Sequence, residues 1–295
     1  MLSNLARVEI ELGKLEKAVE YYQEALKICP DSEIIELCGI KHCLAYIKSK
    51  NGELDIALEM YQECLMNSEK IGHLKGKASA LHEIAGIYLL QGKVENALNK
   101  YQECLEIQES ESINDLQGQA ATLHQIAYIE SQIGRIQEAL ANYEKSFYLN
   151  ESLGNLKGKI STLCQIASIK ENEGNLEAVV SIFKTSLAIV EQIGSVELKA
   201  ATFYNMAITY IKIKKFDLAS NLLNNSLNLS QEMDDIKGQA ITLTSLGQLL
   251  AYKQRDFVTA LDYLEQSLKI FQRIKSPDAE TVREIINDVQ QMANS

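Results

Sequence analysis

Gly72, Gly76 and Lys77 open the phrase GHLKGKASALHEIAGIY with the look of a phosphate-binding loop. In such a loop backbone N–H groups cradle a phosphate and a lysine neutralises it, which requires four residues between the glycines and then Lys followed by Ser or Thr. Here three residues separate Gly72 from Gly76, and Ala78 follows Lys77. The phrase also returns, as GNLKGKISTLCQIASI from Gly154 and more loosely as NDLQGQAATLHQIAYI from Asn114 and DDIKGQAITLTSLGQL from Asp234. A catalytic loop is normally used once; a phrase that keeps returning reads as architecture.

The histidines are the next candidates. His42, His82 and His124 recur at one position, ten residues before a turn signal, and a row of imidazoles invites zinc. Zinc needs all its ligands about 2.0–2.1 Å from one ion, whereas helices of successive repeats lie on the order of 10 Å apart. Nor is there an HExxH, since His82-Glu83 runs into Ile84, Ala85 and Gly86. The six cysteines, Cys29, Cys38, Cys43, Cys64, Cys104 and Cys164, include no CxxC pair, and their scatter reads as buried structural thiols. Glu103, Glu106 and Glu109 fit a solvated helix face, and no GxSxG elbow occurs. No catalytic group, metal or cofactor is called for, and a non-enzymatic role is expected.

The bulk composition agrees. Hydrophobic residues make up 46% of 295 residues, with two prolines and no tryptophan, which is a helix-forming mixture. A formal charge of −11 opposes generic binding to nucleic acid or anionic membrane. The start, MLSNLARVEIELG, has no apolar h-region, and no window approaches the ~18–20 apolar residues of a membrane span. A cytoplasmic protein is expected.

What must position any site is a repeat. Turn residues fall at Gly13, Gly52, Gly92, Gly134, Gly174, Lys214 and Arg255. Five residues later come Ala18, Ala57, Ala97, Ala139, Val179, Ala219 and Ala260; twelve later come Ala25, Cys64, Cys104, Ser146, Ser186, Ser226 and Ser267. Seven residues before come Ala6, Ala45, Ala85, Ala127, Ala167 and Ala207, with Gly247 eight before Arg255. Small side chains at these intervals let two antiparallel helices approach closely while Leu, Ile and Tyr fill the space between them. The second helices break at His73, Asp115, Asn155, Ser195 and Asp235, four of which are good N-caps. The glycines three residues on, Gly76, Gly118, Gly158 and Gly238, read as room for a neighbouring backbone. GHLKGKA is thus a joint between repeats.

With its aromatic column Tyr22, Tyr61, Tyr101, Tyr143 and Phe183, ending in Leu223 and Leu264, the chain resembles a tetratricopeptide-repeat array. The period is that of the longer class, near 40 residues, as in kinesin light chain, Pins-type scaffolds and bacterial arrays attached to STAND NTPases or CHAT proteases. The early Trp of the family is replaced by Leu81, Leu123, Leu163, Phe203 and Leu243, and its late Pro survives as Pro30. The resemblance implies an all-α, right-handed superhelical solenoid of antiparallel helix pairs over 1–274. Its expected units are 1–30, 31–71, 72–112, 113–153, 154–194, 195–234 and 235–274, the first cut short inside a helix containing Met1. DAETVREIINDVQQMANS, within 275–295, is expected as a C-terminal capping helix.

In that family the first helix of each pair faces the concave side. Carried over, the lining is His42, Cys43, Tyr46, His82, Glu83, His124, Gln125 and Tyr128, then Gln165, Ser168, Tyr204, Asn205, Thr244 and Gln248. Amides can satisfy a peptide backbone, and Tyr and His offer flat area with a polar tip. Gly39, Ser79, Ala121, Ser161 and Ala201 would keep the groove floor open. The expectation is a scaffold for a protein segment, extended or helical. Competing readings are a sensor arm of a larger signalling protein and a metalloprotein built on the histidine row.

Overall fold

The computed structural model describes residues 2–30 and 32–294; Met1, Asp31 and Ser295, with the helical placement expected of Met1, lie outside them. Among the described residues there are fifteen α-helices and no strand. The chain divides into two compact units, Met1–Asn155 and Leu156–Ser295. The first holds α1 (Leu2–Glu11), α2 (Leu15–Ile28), α3 (Ile34–Lys50), α4 (Leu54–Lys70), α5 (Leu74–Leu90), α6 (Val94–Glu109), α7 (Leu116–Gln132) and α8 (Ile136–Ser152). The second holds α9 (Leu156–Asn172), α10 (Leu176–Ile193), α11 (Val196–Lys212), α12 (Phe216–Glu232), α13 (Ile236–Leu249), α14 (Phe257–Arg273) and α15 (Asp278–Ala293).

Each helix pair turns through a left-handed residue, because one residue of positive φ reverses the chain in the fewest steps. Gly13, Gly52, Gly92, Gly134 and Gly174 take φ between 72° and 83°, and Lys214 and Arg255 follow at 62° and 61°. The turn carbonyls are satisfied locally: at Gly52 its own N–H donates to the Ser49 carbonyl and the Glu53 N–H to that of Lys48. The last turn differs. Its first helix carries one extra residue, which is why Gly247 falls out of step with Ala207, and the surplus is taken up as a π-helical turn over Leu250–Gln254.

Every member of the small columns is buried. The second-helix column does more than fill space. Its thiol or hydroxyl contacts a first-helix carbonyl: Cys104 to Ala78 (3.1 Å), Ser146 to Ala120 (2.8 Å), Ser226 to Ala200 (2.9 Å) and Ser267 to Ala240 (2.8 Å). A buried hydroxyl needs such a partner. Ser186 is the exception, donating instead to Ile182 of its own helix at 3.1 Å; the first-helix residue 26 positions earlier is Ile160, in the place where the contacting pairs carry Ala or Cys. The cysteines correct the expectation of uniformly buried thiols: Cys64 and Cys104 are buried, Cys29, Cys38 and Cys43 are half-buried, and Cys164 is exposed.

The joints correct another expectation. A Cβ on Gly76 would meet the side chains of His73 and Ser68, one on Gly118 those of Asp115 and Gln108, and one on Gly238 those of Asp235 and Ser230. No backbone crowds these glycines. They clear space for a capping side chain, since Asp115 and Asp235 accept from the N–H of Gly118 and Gly238 at 2.9 Å, and for a buried polar residue at the end of the preceding helix. Where that residue is Val190, the glycine is replaced by Leu198. In the second unit α15 lays Val282, Ile286 and Val289 against Leu264 and Phe271 of α14.

Candidate functional site

The first-helix row of the first unit, α3, α5 and α7, is built around its histidines. Each ring meets the tyrosine of its own pair edge-on: His42 with Tyr61 and His82 with Tyr101 at 5.1 Å, and His124 with Tyr143 at 5.2 Å. Two of them also reach the next repeat. His42 Nε2 lies 3.0 Å from Ser79 Oγ, and His82 Nδ1 lies 3.0 Å from Thr122 Oγ1. The imidazoles are therefore ties within and between repeats, and the fold does not bring the three together on one point. Burial lowers the pKa of all three, with the neighbouring His42 adding to the effect on His82, which falls to about 4. At neutral pH they are uncharged hydrogen-bonding groups.

Around them the face stays open. Gly39, Ser79 and Ala121 are exposed, as are Tyr46 and Tyr128, while Glu83 and Gln125 are half-buried. The Lys50 ammonium sits 5.4 Å from the Tyr46 ring centroid. Burial pushes the Glu83 carboxyl above its ordinary range, against the pull of Tyr61 and Lys50. His82 and Glu83 share a cavity of about 330 Å³ with Ser79, Gly118, Ala121 and the buried Gln108. Tyr46, Gln125 and Tyr128 lie outside its wall. Lys77, the lysine of the opening phrase, is committed to Glu69 at 2.9 Å.

In the second unit the lining residues divide. Asn205 and Ser168 are exposed, and Gln165 and Gln248 are half-buried. Tyr204 packs against the core and its hydroxyl meets Ser245 Oγ at 3.1 Å. Thr244 is spent on the Ala240 carbonyl (3.0 Å) and Ser267 Oγ (2.8 Å). Ser161 and Ala201 are exposed. Thr122 and Ser245, which anchor His82 and Tyr204, were not among the expected residues. A signal existed for the first: Thr122, Thr162, Thr202 and Thr242 form a fully buried column, legible in the recurring phrase just before the lining position.

Among the described residues one group could converge on a metal: Cys29, Glu33 and Glu36, whose donor atoms lie within 4.8 Å of one another at the α2–α3 joint. It contains no histidine. No helix among the described residues is long and apolar enough to cross a membrane.

Comparison with known proteins places the arrangement. A tetratricopeptide-repeat family model matches residues 36–110, 76–152 and 198–273, and a second matches 1–32. No curated protein sequence matches. Among solved structures the chain is similar to a signal-transduction ATPase with numerous domains (STAND) from Pyrococcus horikoshii that carries a tetratricopeptide-repeat sensor, at 18% identity and TM-score 0.77. That match covers 99% of this chain and 44% of the ATPase, so the chain spans less than half of that relative. The apo form of RapI is similar over 93% of this chain and 97% of its own, at 15% identity and TM-score 0.64. Kinesin light chain repeats from Podosopora anserina match 66% of this chain and 95% of theirs, at 18% identity and TM-score 0.56.

Proposed function

The chain belongs to the tetratricopeptide-repeat family, a fold that generally binds protein partners and typically carries no catalysis, and from that premise we propose that it is a non-enzymatic scaffold. The partner is a protein segment, extended or helical, lying in a concave groove along the first-helix face. One observation carries this reading: exposed Tyr46 and Tyr128 flank exposed small residues, Gly39, Ser79 and Ala121, on neighbouring first helices. Large flat side chains beside gaps of that kind are how an interface gains contact area at low entropic cost. The histidines, held neutral and engaged with the repeats' own residues, support a structural role for the row.

The test is capture from the native lysate by the intact chain and by a Tyr46→Ala/Tyr128→Ala variant. Partners lost by the variant at unchanged thermal stability support the groove; identical captures overturn it. A second reading is favoured by the likeness to the sensor of the STAND ATPase: the repeats form the sensing arm of a larger signalling protein of NTPase or protease type. It is tested by the intact mass of the protein isolated from its source, which must include an effector region.

A further inference from the structure

We propose that Cys38 and Cys64 form a modification site, a pair of thiols that a hydroperoxide joins into a disulfide across the α3–α4 helix pair. The inference is independent of the binding face. In five of the helix pairs a small second-helix residue touches a first-helix carbonyl, 26 positions earlier in four of them and 27 in the last. In the pairs built on Cys104, Ser146, Ser226 and Ser267, the first-helix residue is alanine: Ala78, Ala120, Ala200 and Ala240. At Cys64 alone it is a second cysteine. The contact there is reciprocal: Cys64 Sγ lies 3.4 Å from the Cys38 carbonyl, and Cys38 Sγ lies 4.0 Å from the Cys64 carbonyl. Each sulfur thus lies against the other residue's backbone. A disulfide asks for Cα atoms about 4.4–6.8 Å apart, and two helices usually held 8–10 Å axis to axis bring residues that close only at a small-residue crossing of this kind.

The two thiols differ in access, and the difference orders the chemistry. Cys38 is half-buried, whereas Cys64 is 3% exposed. Burial first, and then the adjacent Cys38, push the Cys64 thiol up to about 12, while Lys41 pulls against them. Entry is therefore at Cys38. Its thiolate attacks the outer oxygen of the hydroperoxide, an S–O bond forms, the O–O bond breaks, and the leaving alkoxide or hydroxide takes a proton. The resulting sulfenic acid is attacked by the Cys64 thiolate. The S–S bond forms, the S–O bond breaks, and hydroxide leaves as water with the proton from Cys64. Two thiols have lost two electrons and two protons, and the peroxide has gained them. Cys104 serves as an internal control, because it occupies the equivalent place opposite Ala78 with no sulfur to meet.

The experiment treats the reduced full chain with hydrogen peroxide, blocks the remaining thiols with N-ethylmaleimide after unfolding, and maps peptides without reduction. The expected result is one linked pair joining Cys38 to Cys64, two hydrogens lighter than the free peptides and released by dithiothreitol, with Cys104 alkylated. Cys38→Ala installs the residue that other repeats carry at this place, so it keeps the helical circular-dichroism signal and loses the link. Ala78→Cys gains a second link, to Cys104. Cys38 ending as a sulfinic acid with Cys64 alkylated, or a bridge between any other two cysteines, overturns the proposal.

Discussion

Two glycines buried to different degrees in helix interiors should respond to the same substitution with opposite signs. Gly247 lies in α13 and Gly86 in α5. Replacing a helix-interior glycine with alanine recovers about 1 kcal/mol of conformational entropy and helix propensity. At Gly86 the new methyl would meet only the Tyr101 hydroxyl, at 3.6 Å, an ordinary contact. Gly86→Ala should therefore stabilise by about 0.5–1 kcal/mol. At Gly247 the methyl would stand 2.6 Å from Leu264 Cγ and 3.0 Å from the Ala260 carbonyl. Leu264 is fully buried and Ala260 is backbone of α14, so neither moves without shifting that helix. Overpacking of this kind costs about 1–3 kcal/mol, which outweighs the propensity gain and leaves a net loss of up to about 2 kcal/mol. For a body of this size that corresponds to a fall of roughly 2–4 °C in Tm per kcal/mol. Because repeat arrays unfold in segments, thermal unfolding should be paired with hydrogen exchange read separately over α5–α6 and α13–α14. Equal stabilisation by both substitutions would refute the claim that Gly247 sets the α13–α14 spacing.

Other outcomes follow from the same contacts. Ser146→Ala removes a buried hydroxyl that donates to Ala120 at 2.8 Å and should cost about 1–2 kcal/mol in urea unfolding. Ser186→Ala, whose hydroxyl bonds only within its own helix, should cost less. Asp235→Ala deletes the cap of α13 and should cost about 1 kcal/mol; adding Gly238→Ala to it should cost less than adding it to the parent, because the clashing Asp235 carboxylate is gone, a non-additivity that a double-mutant cycle reads directly. His82, with its pKa lowered from 6.5 to about 4, takes up a proton in the unfolded chain before the folded one. Its contribution is complete above about pH 6.5 and is lost as pH falls toward 4, by a total on the order of 3 kcal/mol. Glu83, shifted upward by burial, acts in the opposite sense and offsets some of the fall over this range. His82→Gln should flatten that part of a Tm-against-pH curve, and an unchanged slope would contradict the assignment.

Much of the fold could be read from the chain because each packing position is tested against a copy of itself about 40 residues away. Ala57, Ala97 and Ala139 are small for one reason repeated, and the turn glycines need positive φ for one reason repeated. What was misread sits where two side chains decide an outcome jointly. Gly118 looks like room for a backbone until Asp115 and Gln108 are seen converging on it. Its meaning lies in a pair of positions, and a single column does not display pairs. The histidine row shows the same dependence on pairs: spacing placed the three on one face, but the tyrosine that each ring packs against comes from the partner helix.

The lining of the candidate site was the least legible part, for a reason that also limits what any periodicity can say about function. A buried column is written by neighbours that the chain itself supplies, so its residue types converge from repeat to repeat. His42, His82 and His124 each face a tyrosine ring of their own pair; where Phe183 and Leu223 take over that column, the lining becomes Cys164 and Tyr204, and opposite Tyr22 it is Ser3. One turn further along stand Tyr46, Gly86, Tyr128, Ser168, Ile208 and Gln248, of which Tyr46, Tyr128 and Ser168 are exposed. Exposed second-helix positions vary as well, as Glu20, Glu59, Asn99, Ala141, Ser181, Asn221 and Asp262 do seven residues after each turn, so a measurement must choose between the faces. The paired-tyrosine capture is therefore the decisive measurement: it perturbs two of the varied positions while leaving every constant column intact.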